Sequence, residues 1–354
     1  MNKVLAFIVF VCGFVAAQEI VATGLNGPMG VLVAPDGSLW VIDSGVGGEQ
    51  EITMNSLETG EPTTAYVGNT ARIVQVMPDG SSKDIAMLPS VLNGQEAAGG
   101  ARLALLNGTL YVTSGVWLEG IAPERMPMQA AVLKLENGEL VEVGNTWDIE
   151  AAMNPDGFIK EAHPYDLTVD SRGMLWIAES GANTLLKLNP MTGEVSLAAT
   201  FAGIASPLPN PARGGAMESD PVPTGVVVME DGTAYVSMLP GFPFIPGSAK
   251  VVMVAPDGTV SDYANGLTMI TDLAQGPDGN LYAVQLGVFT EQGPTPNSGA
   301  VIRIKNGMAE EVLSGLSFPT AIDFNASGDA YVTINGVGAP GSGEVHRFAA
   351  VAMP

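Results

Sequence analysis

The chain has 354 residues, with 14 Lys and Arg against 37 Asp and Glu, a net charge of −23, and it carries 44 Gly and 25 Pro. That charge repels nucleic acid and anionic lipid, so neither is expected as a partner, whereas cations and basic protein surfaces suit it. Frequent Gly and Pro among many short alternating runs favour one closed all-β array over two or three mixed domains.

Residues 1–17 have the pattern of a secretory leader: Lys3 supplies the charge, residues 4–14 the apolar run, and Val15-Ala16-Ala17 the small-residue cleavage site. The apolar run is too short to cross a bilayer, so no membrane insertion is expected. Cys12 lies inside it, which leaves residues 18–354 as a single cysteine-free domain, secreted or periplasmic and held by packing alone.

From there the chain repeats one phrase. Ala34-Pro35-Asp36-Gly37-Ser38-Leu39-Trp40-Val41 pairs a strand end and an Asp-Gly turn with a strand that alternates around an aromatic. It returns at Asn107-Gly108, Arg172-Gly173, Asp231-Gly232, Asp278-Gly279 and Ser327-Gly328, each followed by Tyr111, Trp176, Tyr235, Tyr282 or Tyr331. A second turn recurs at Asp79-Gly80, Asn137-Gly138, Thr192-Gly193, Asp257-Gly258 and Asn306-Gly307. Two hairpins per repeat predict a six-bladed β-propeller of four-stranded antiparallel blades. The last repeat lacks a fourth strand. Val21-Ala22-Thr23-Gly24-Leu25 resembles the strand ends Tyr263–Leu267 and Leu313–Leu316, so the N-terminal strand is expected to close the ring and cover its edge.

Both Gly turns of a blade lie on one face. The long segments 44–71, 89–99, 114–130, 144–163, 202–222, 239–249, 286–299 and 335–343 all fall on the other. Loops on a rigid scaffold are where function concentrates, so the elaborated face is the expected binding face.

Seven residues before each first-turn Gly stand Gly30, Ala101, Asp166, Gly225, Asp272 and Ala321, which line the channel. The second strands end at Asp43, Ser114, Glu179, Met238, Gln285 and Ile334. Asp43, Asp166, Glu179 and Asp272 are therefore expected to converge on the channel mouth of the elaborated face. They would act either as oxygen ligands for Ca²⁺ or Mg²⁺ or as caps on neighbouring backbone N–H groups. His163, just before the third innermost strand, is a candidate general base or a backbone-bonded loop residue. Arg102 interrupts an apolar phase, so it needs a carboxylate partner or binds an anion at the channel. Trp117, Trp147, Phe158, Phe242, Phe244 and Phe289 fall in the insertions, where they either line a ligand or partner surface or pack the long loops down. No nucleophile elbow, phosphate loop or zinc motif is present, and with two His and no Cys past the leader most nucleophilic and transition-metal chemistries are disfavoured.

Gly24-Leu25-Asn26-Gly27-Pro28, Ala152-Met153-Asn154-Pro155-Asp156-Gly157, Glu179–Leu186 and Gly241-Phe242-Pro243-Phe244-Ile245-Pro246-Gly247 resemble the ScyD/ScyE family of secreted, NHL-like propellers. The resemblance covers nearly all of the chain past the leader and implies an extracytoplasmic six-bladed propeller without a settled activity. Members often carry Glu at the end of the second strand in the later blades, where this chain has Met238 and Gln285. The reading adopted is a non-catalytic propeller that binds a protein or small molecule on the elaborated face. The alternatives are a metal-assisted, lactonase-like hydrolase with Asp166, Asp272 and Glu179 around the ion and His163 as base, or an accessory in secondary-metabolite processing.

Overall fold

The computed structural model describes residues 18–55, 62–122, 124–290 and 292–354, so the leader and the centre of the 44–71 segment lie outside the described residues. The chain is all-β with a β-propeller fold. Six antiparallel sheets of four or more strands follow one another along the sequence. Their innermost strands are Pro28–Val33, Gly100–Leu106, Pro164–Val169, Pro223–Val228, Ile270–Gln275 and Ile322–Phe324. Each innermost strand packs beside the next, and Ile322–Phe324 returns to Pro28–Val33. In the sixth sheet Gln18–Leu25 pairs antiparallel with Gly343–Phe348, from Gln18 opposite Phe348 to Leu25 opposite Gly343.

The repeated turns form as their residues dictate. At Asn107-Gly108 both central residues have positive φ, 51° and 81°, the geometry whose twist matches a two-residue hairpin. Asp36 receives the N–H and hydroxyl of Ser38 at 2.9 and 2.7 Å, tying the first turn to the following strand.

The six repeated aromatics lie in six different apolar clusters, each shared by consecutive sheets. Tyr331 belongs to the one that joins Val31, Val41 and Val74 of the first sheet to Leu25, Ala321 and Val345 on the side of the sixth. Each fully buried Leu or Ile in these seams, such as Ile73, Leu133 or Leu185, contributes about 1.5–3 kcal/mol.

The insertions carry structure of their own. Segment 44–71 is not an open loop: its third strand begins at Pro62, and Gln50–Asn55 and Glu96–Ala98 add to the same sheet. The alternation Thr64-Ala65-Tyr66-Val67, with Ala65 and Val67 buried and Tyr66 exposed, extends the pleat past the blade. Segment 202–222 folds as a hairpin of Ile204–Asn210 and Ala216–Ser219, and 144–163 contains a short helix, Trp147–Met153.

Candidate functional site: the channel and its mouth

Arg102 lies among the innermost strands. Its guanidinium donates to the carbonyls of Met29 and Thr271, to Thr320 O at 2.8 Å and Ala101 O at 3.0 Å, and to Asp272 Oδ1 at 3.2 Å. Asp166 Oδ1 lies 3.9 Å from Nε, and the Tyr165 ring sits 4.8 Å from the guanidinium carbon. One side chain thereby gathers groups from five sheets, which answers the sequence-level demand for a carboxylate partner. Small residues bring the strands close enough: a Cβ on Gly30 would meet Ala101 O at 2.6 Å, and one on Gly225 would meet Leu273 N at 2.4 Å.

Of the four carboxylates expected to converge, Asp166 and Asp272 meet at Arg102, while Asp43 and Glu179 are bonded elsewhere. Asp166 accepts Leu167 N at 2.8 Å and Val226 N at 2.6 Å, and Asp272 accepts Leu273 N at 2.9 Å and Ile322 N at 2.8 Å. Each binds its own strand and the next sheet. Asp323, which the sequence did not single out, does the same two positions further along, accepting Phe324 N and, across the first seam, Val33 N at 2.7 Å. Asp43 is held by Arg72 at 2.7 Å, with N–H groups of Asn26 and Arg72. Glu179 accepts Thr146 Oγ1 at 3.1 Å, Ala182 N at 2.6 Å and the His163 N–H. Among the described residues no three His, Cys, Asp or Glu side chains are grouped to hold a metal ion. Each of the four accepts backbone N–H groups, and Asp43 and Asp272 also pair with arginines.

Their position also differs from the expectation. Arg102, Asp166, Asp272 and Asp323 floor a cavity of about 440 Å³ whose walls run on to Leu105, Val169, Val228 and Gln275, the strand ends next to the tight turns. Only Asp43 and Glu179 sit toward the elaborated face. Burial and the Asp272 charge raise the Asp166 pKa against the pull of Arg102, and burial likewise raises Asp272.

The elaborated mouth is organised instead by the lead-in to the third innermost strand. Glu161, His163 and Tyr165 alternate with Ala162 and Pro164, which sets them on one side of an extended chain. The lead-in is fixed by the Glu179 bond to His163 N and by Ser180 N donating to His163 O at 2.9 Å. Glu161 and His163 line two cavities at once. One, about 220 Å³, has mainly small and apolar walls, including Met29, Met54, Val91, Ala98 and Leu118. The other, about 230 Å³, has Asp156, Phe158, Asn183 and Asp220.

Electrostatics there are unusual. Burial, then the charges of Asp220, Glu150 and Asp156, push Glu161 up to about 7. Burial and Asp156 push Glu150, on the short helix behind that wall, to about 7, and burial pushes Glu179 to about 8. Both Glu150 oxygens are buried, and the Glu161 N–H and the Lys160 charge offset the rise of Glu150 only in part. Burial lowers His163 to about 4, so its imidazole is neutral at pH 7; it packs edge-on to Tyr165 at 5.7 Å.

The insertion aromatics divide. Trp117 is 2% exposed and packs with Ala130, Ala162 and Trp147, so both tryptophans pin down loops instead of lining an open face. Phe244 stacks on Phe289 at 4.8 Å, and Phe242 beside it is 64% exposed. Phe158 lies under the Arg213 guanidinium at 4.1 Å. Of the mouth residues, Glu161 had a legible signal in its alternation with His163; Asp220 and Arg213, on a segment that only the fold brings in, had none.

No protein-family model matches the chain, and no curated protein matches it. Solved structures do. A gluconolactonase from Xanthomonas campestris is 13% identical with a TM-score of 0.56, covering 96% of this chain and 90% of that one. The calcium-binding protein regucalcin from Agrobacterium tumefaciens is 12% identical with a TM-score of 0.54, covering 94% and 93%. An oxidoreductase described as a glucose dehydrogenase, from Thermus thermophilus, is 18% identical with a TM-score of 0.56, covering 94% and 99%. At these identities the likeness is one of fold, and it is to β-propellers that this chain is similar.

Proposed function

We propose that this protein is a secreted or periplasmic six-bladed propeller of the ScyD/ScyE kind, a single domain over residues 18–354 closed by its N-terminal strand, that binds a small molecule at its elaborated mouth without turning it over. The cyclic order of the innermost strands and the pairing of Gln18–Leu25 with Gly343–Phe348 support the closed ring. The single observation that carries the binding reading is the pair of cavities sharing Glu161 and His163, in a fold whose axial carboxylates are already bonded to Arg102 and to backbone N–H groups. Among the described residues no carboxylate hydrogen-bonds the His163 side chain, and a base lowered to about 4 is a weak proton acceptor, which supports the binding reading.

Crystals soaked separately in phenol and isopropanol test this. Probe density is expected at Glu161 and His163, and Ala98→Trp, which fills the apolar cavity, is expected to remove it there. Probes collecting only at the tight-turn opening would defeat the reading. Turnover of p-nitrophenyl acetate or gluconolactone with Ca²⁺ or Mg²⁺, abolished by His163→Ala, would move the protein to the lactonase-like class.

A further inference from the structure

Resting on that binding reading, we infer that the cavity of Asp156, Phe158, Glu161 and Asp220 is a cation subsite that takes the charged amine of a small arylalkylammonium ligand. Three of its lining residues are carboxylates, and Phe158, Ile159 and Val222 supply an apolar side. At about 230 Å³ it is smaller than the pockets that hold drug-sized ligands, which limits the occupant to a compact monoamine.

The cavity edge already holds a cation from the chain itself. Arg213, 6% exposed, lies over the Phe158 ring at 4.1 Å and donates to Asp220 at 2.9 Å and Glu218 at 3.4 Å. An aromatic face beside a carboxylate is the environment in which desolvated ammonium and guanidinium groups are held. The remaining groups around Glu161 are spoken for. Asn183 Nδ2 donates to Asp156 at 2.8 Å, and Lys160 Nζ turns to Ala151 O at 3.1 Å. Glu179 is capped by three donors, and His163 is neutral. Among the described residues no donor is placed on the Glu161 carboxylate, which lines the cavity, whereas Glu150 lies behind it, fully buried and outside the lining. A lining carboxylate without a donor of its own is what an incoming –NH₃⁺, with three donors and no acceptor, complements, and Glu161 is that carboxylate.

The charge state of Glu161 gives the inference its signature. Held near 7 by burial and by Asp220, Glu150 and Asp156, it is mostly protonated at pH 6.5. A cation placed against it favours the carboxylate, so binding must expel a proton.

Isothermal titration of the whole protein with 2-phenylethylammonium and with its neutral isostere 2-phenylethanol, at pH 6.5 in two buffers of different ionisation enthalpy, tests this. The amine is expected to bind about tenfold more tightly than the alcohol, an ion-pair and cation–π increment of about 1.4 kcal/mol, with buffer-dependent heat reporting proton release. Glu161→Gln should bring the amine-to-alcohol affinity ratio to about one and abolish the proton release, with the circular dichroism spectrum unchanged. Equal affinities without proton release, or an amine response that Glu161→Gln leaves intact, would overturn the cation subsite while the mouth reading stood. Binding of neither probe would overturn it too, and the soaked crystals would then decide the mouth reading separately.

Discussion

Replacing Arg102 by Met removes one side chain and uncovers several costs at once. Asp272 loses its 3.2 Å partner, Asp166 its nearest positive charge, and the carbonyls of Met29, Thr271 and Thr320 lose donors in a site where Arg102 is 4% exposed. Breaking a buried ion pair by removing one member costs about 3–5 kcal/mol, because the other charge stays behind. Arg102→Lys keeps the charge but not the planar fork that reaches several sheets, so about half that loss is expected. Arg347→Met provides the contrast: its pair with Asp329 is made by a side chain 39% exposed, worth about 0–1 kcal/mol. Urea unfolding at pH 7, compared at constant m, reads all three. The pH dependence adds a second check. Burial already favours the protonated form of Asp166, so the response comes from Asp272: without Arg102 its raised pKa rises further, the folded variant takes up more protons than wild type does, and the gap should narrow as pH falls below 7. A loss below about 1 kcal/mol, or one indifferent to pH, would mean that Arg102 does not tie the ring together.

Glu150, Glu161, Glu179 and Asp323 have pKa values raised to about 7, 7, 8 and 6, so the stability they contribute is present below their ordinary values and is lost as pH rises through 6–8. The turn residues Asp36 and Asp79 are lowered by the Ser38 and Ser81 hydroxyls and act in the opposite sense below their usual range, so the melting temperature is expected to peak at mildly acidic pH and to fall toward pH 8 in calorimetry. Glu150→Gln should raise stability by about 1–3 kcal/mol at pH 8 and change little at pH 5, since it removes a buried charge only where that charge exists. Deleting residues 18–25 uncovers the edge of Gly343–Phe348 and empties the place of Leu25, 2% exposed. A loss of about 3–6 kcal/mol and concentration-dependent association in size-exclusion chromatography are expected.

The elements most legible in the sequence were those set by local chemistry repeated many times. Asp-Gly and Asn-Gly turns, and an aromatic at a constant distance after them, depend on a few adjacent residues, and all six aromatics lie in the seams where that spacing put them. Position along a strand was legible as well: Asp166 and Asp272 do sit at equivalent points, as their equal distance from the turn required. Less visible was what faces them. Whether a channel carboxylate meets a cation or the N–H of Val226 depends on the stagger between neighbouring sheets, which a repeat spacing does not report. The 44–71 segment counts as an insertion from the distance between its flanking turns, yet the alternation at Thr64–Val67 extends a strand back to Pro62. Trp117 shows the same limit. Its place in an insertion was plain, but its burial depends on Ala130 and Ala162, which come from separate connections.

Free bonding capacity, more than residue type, separates scaffold from site in this ring. On the axis, Arg102, Asp166, Asp272 and Asp323 are matched to donors and acceptors of the adjoining sheets, and Thr224, Thr271 and Thr320 repeat the pattern by donating to the carbonyls of Ile270, Pro319 and Pro28 at 2.6, 3.3 and 2.5 Å. Groups so employed resist recruitment by a ligand, because each new contact would strand a buried partner at about 1–3 kcal/mol. The lead-in at 161–165 is different: its backbone is held by Glu179 and Ser180, which leaves the side chains of Glu161 and His163 to face the two cavities. With the axial polar groups spent on holding sheets together, the proposed binding falls to the rim, where among the described residues no donor is placed on the Glu161 carboxylate.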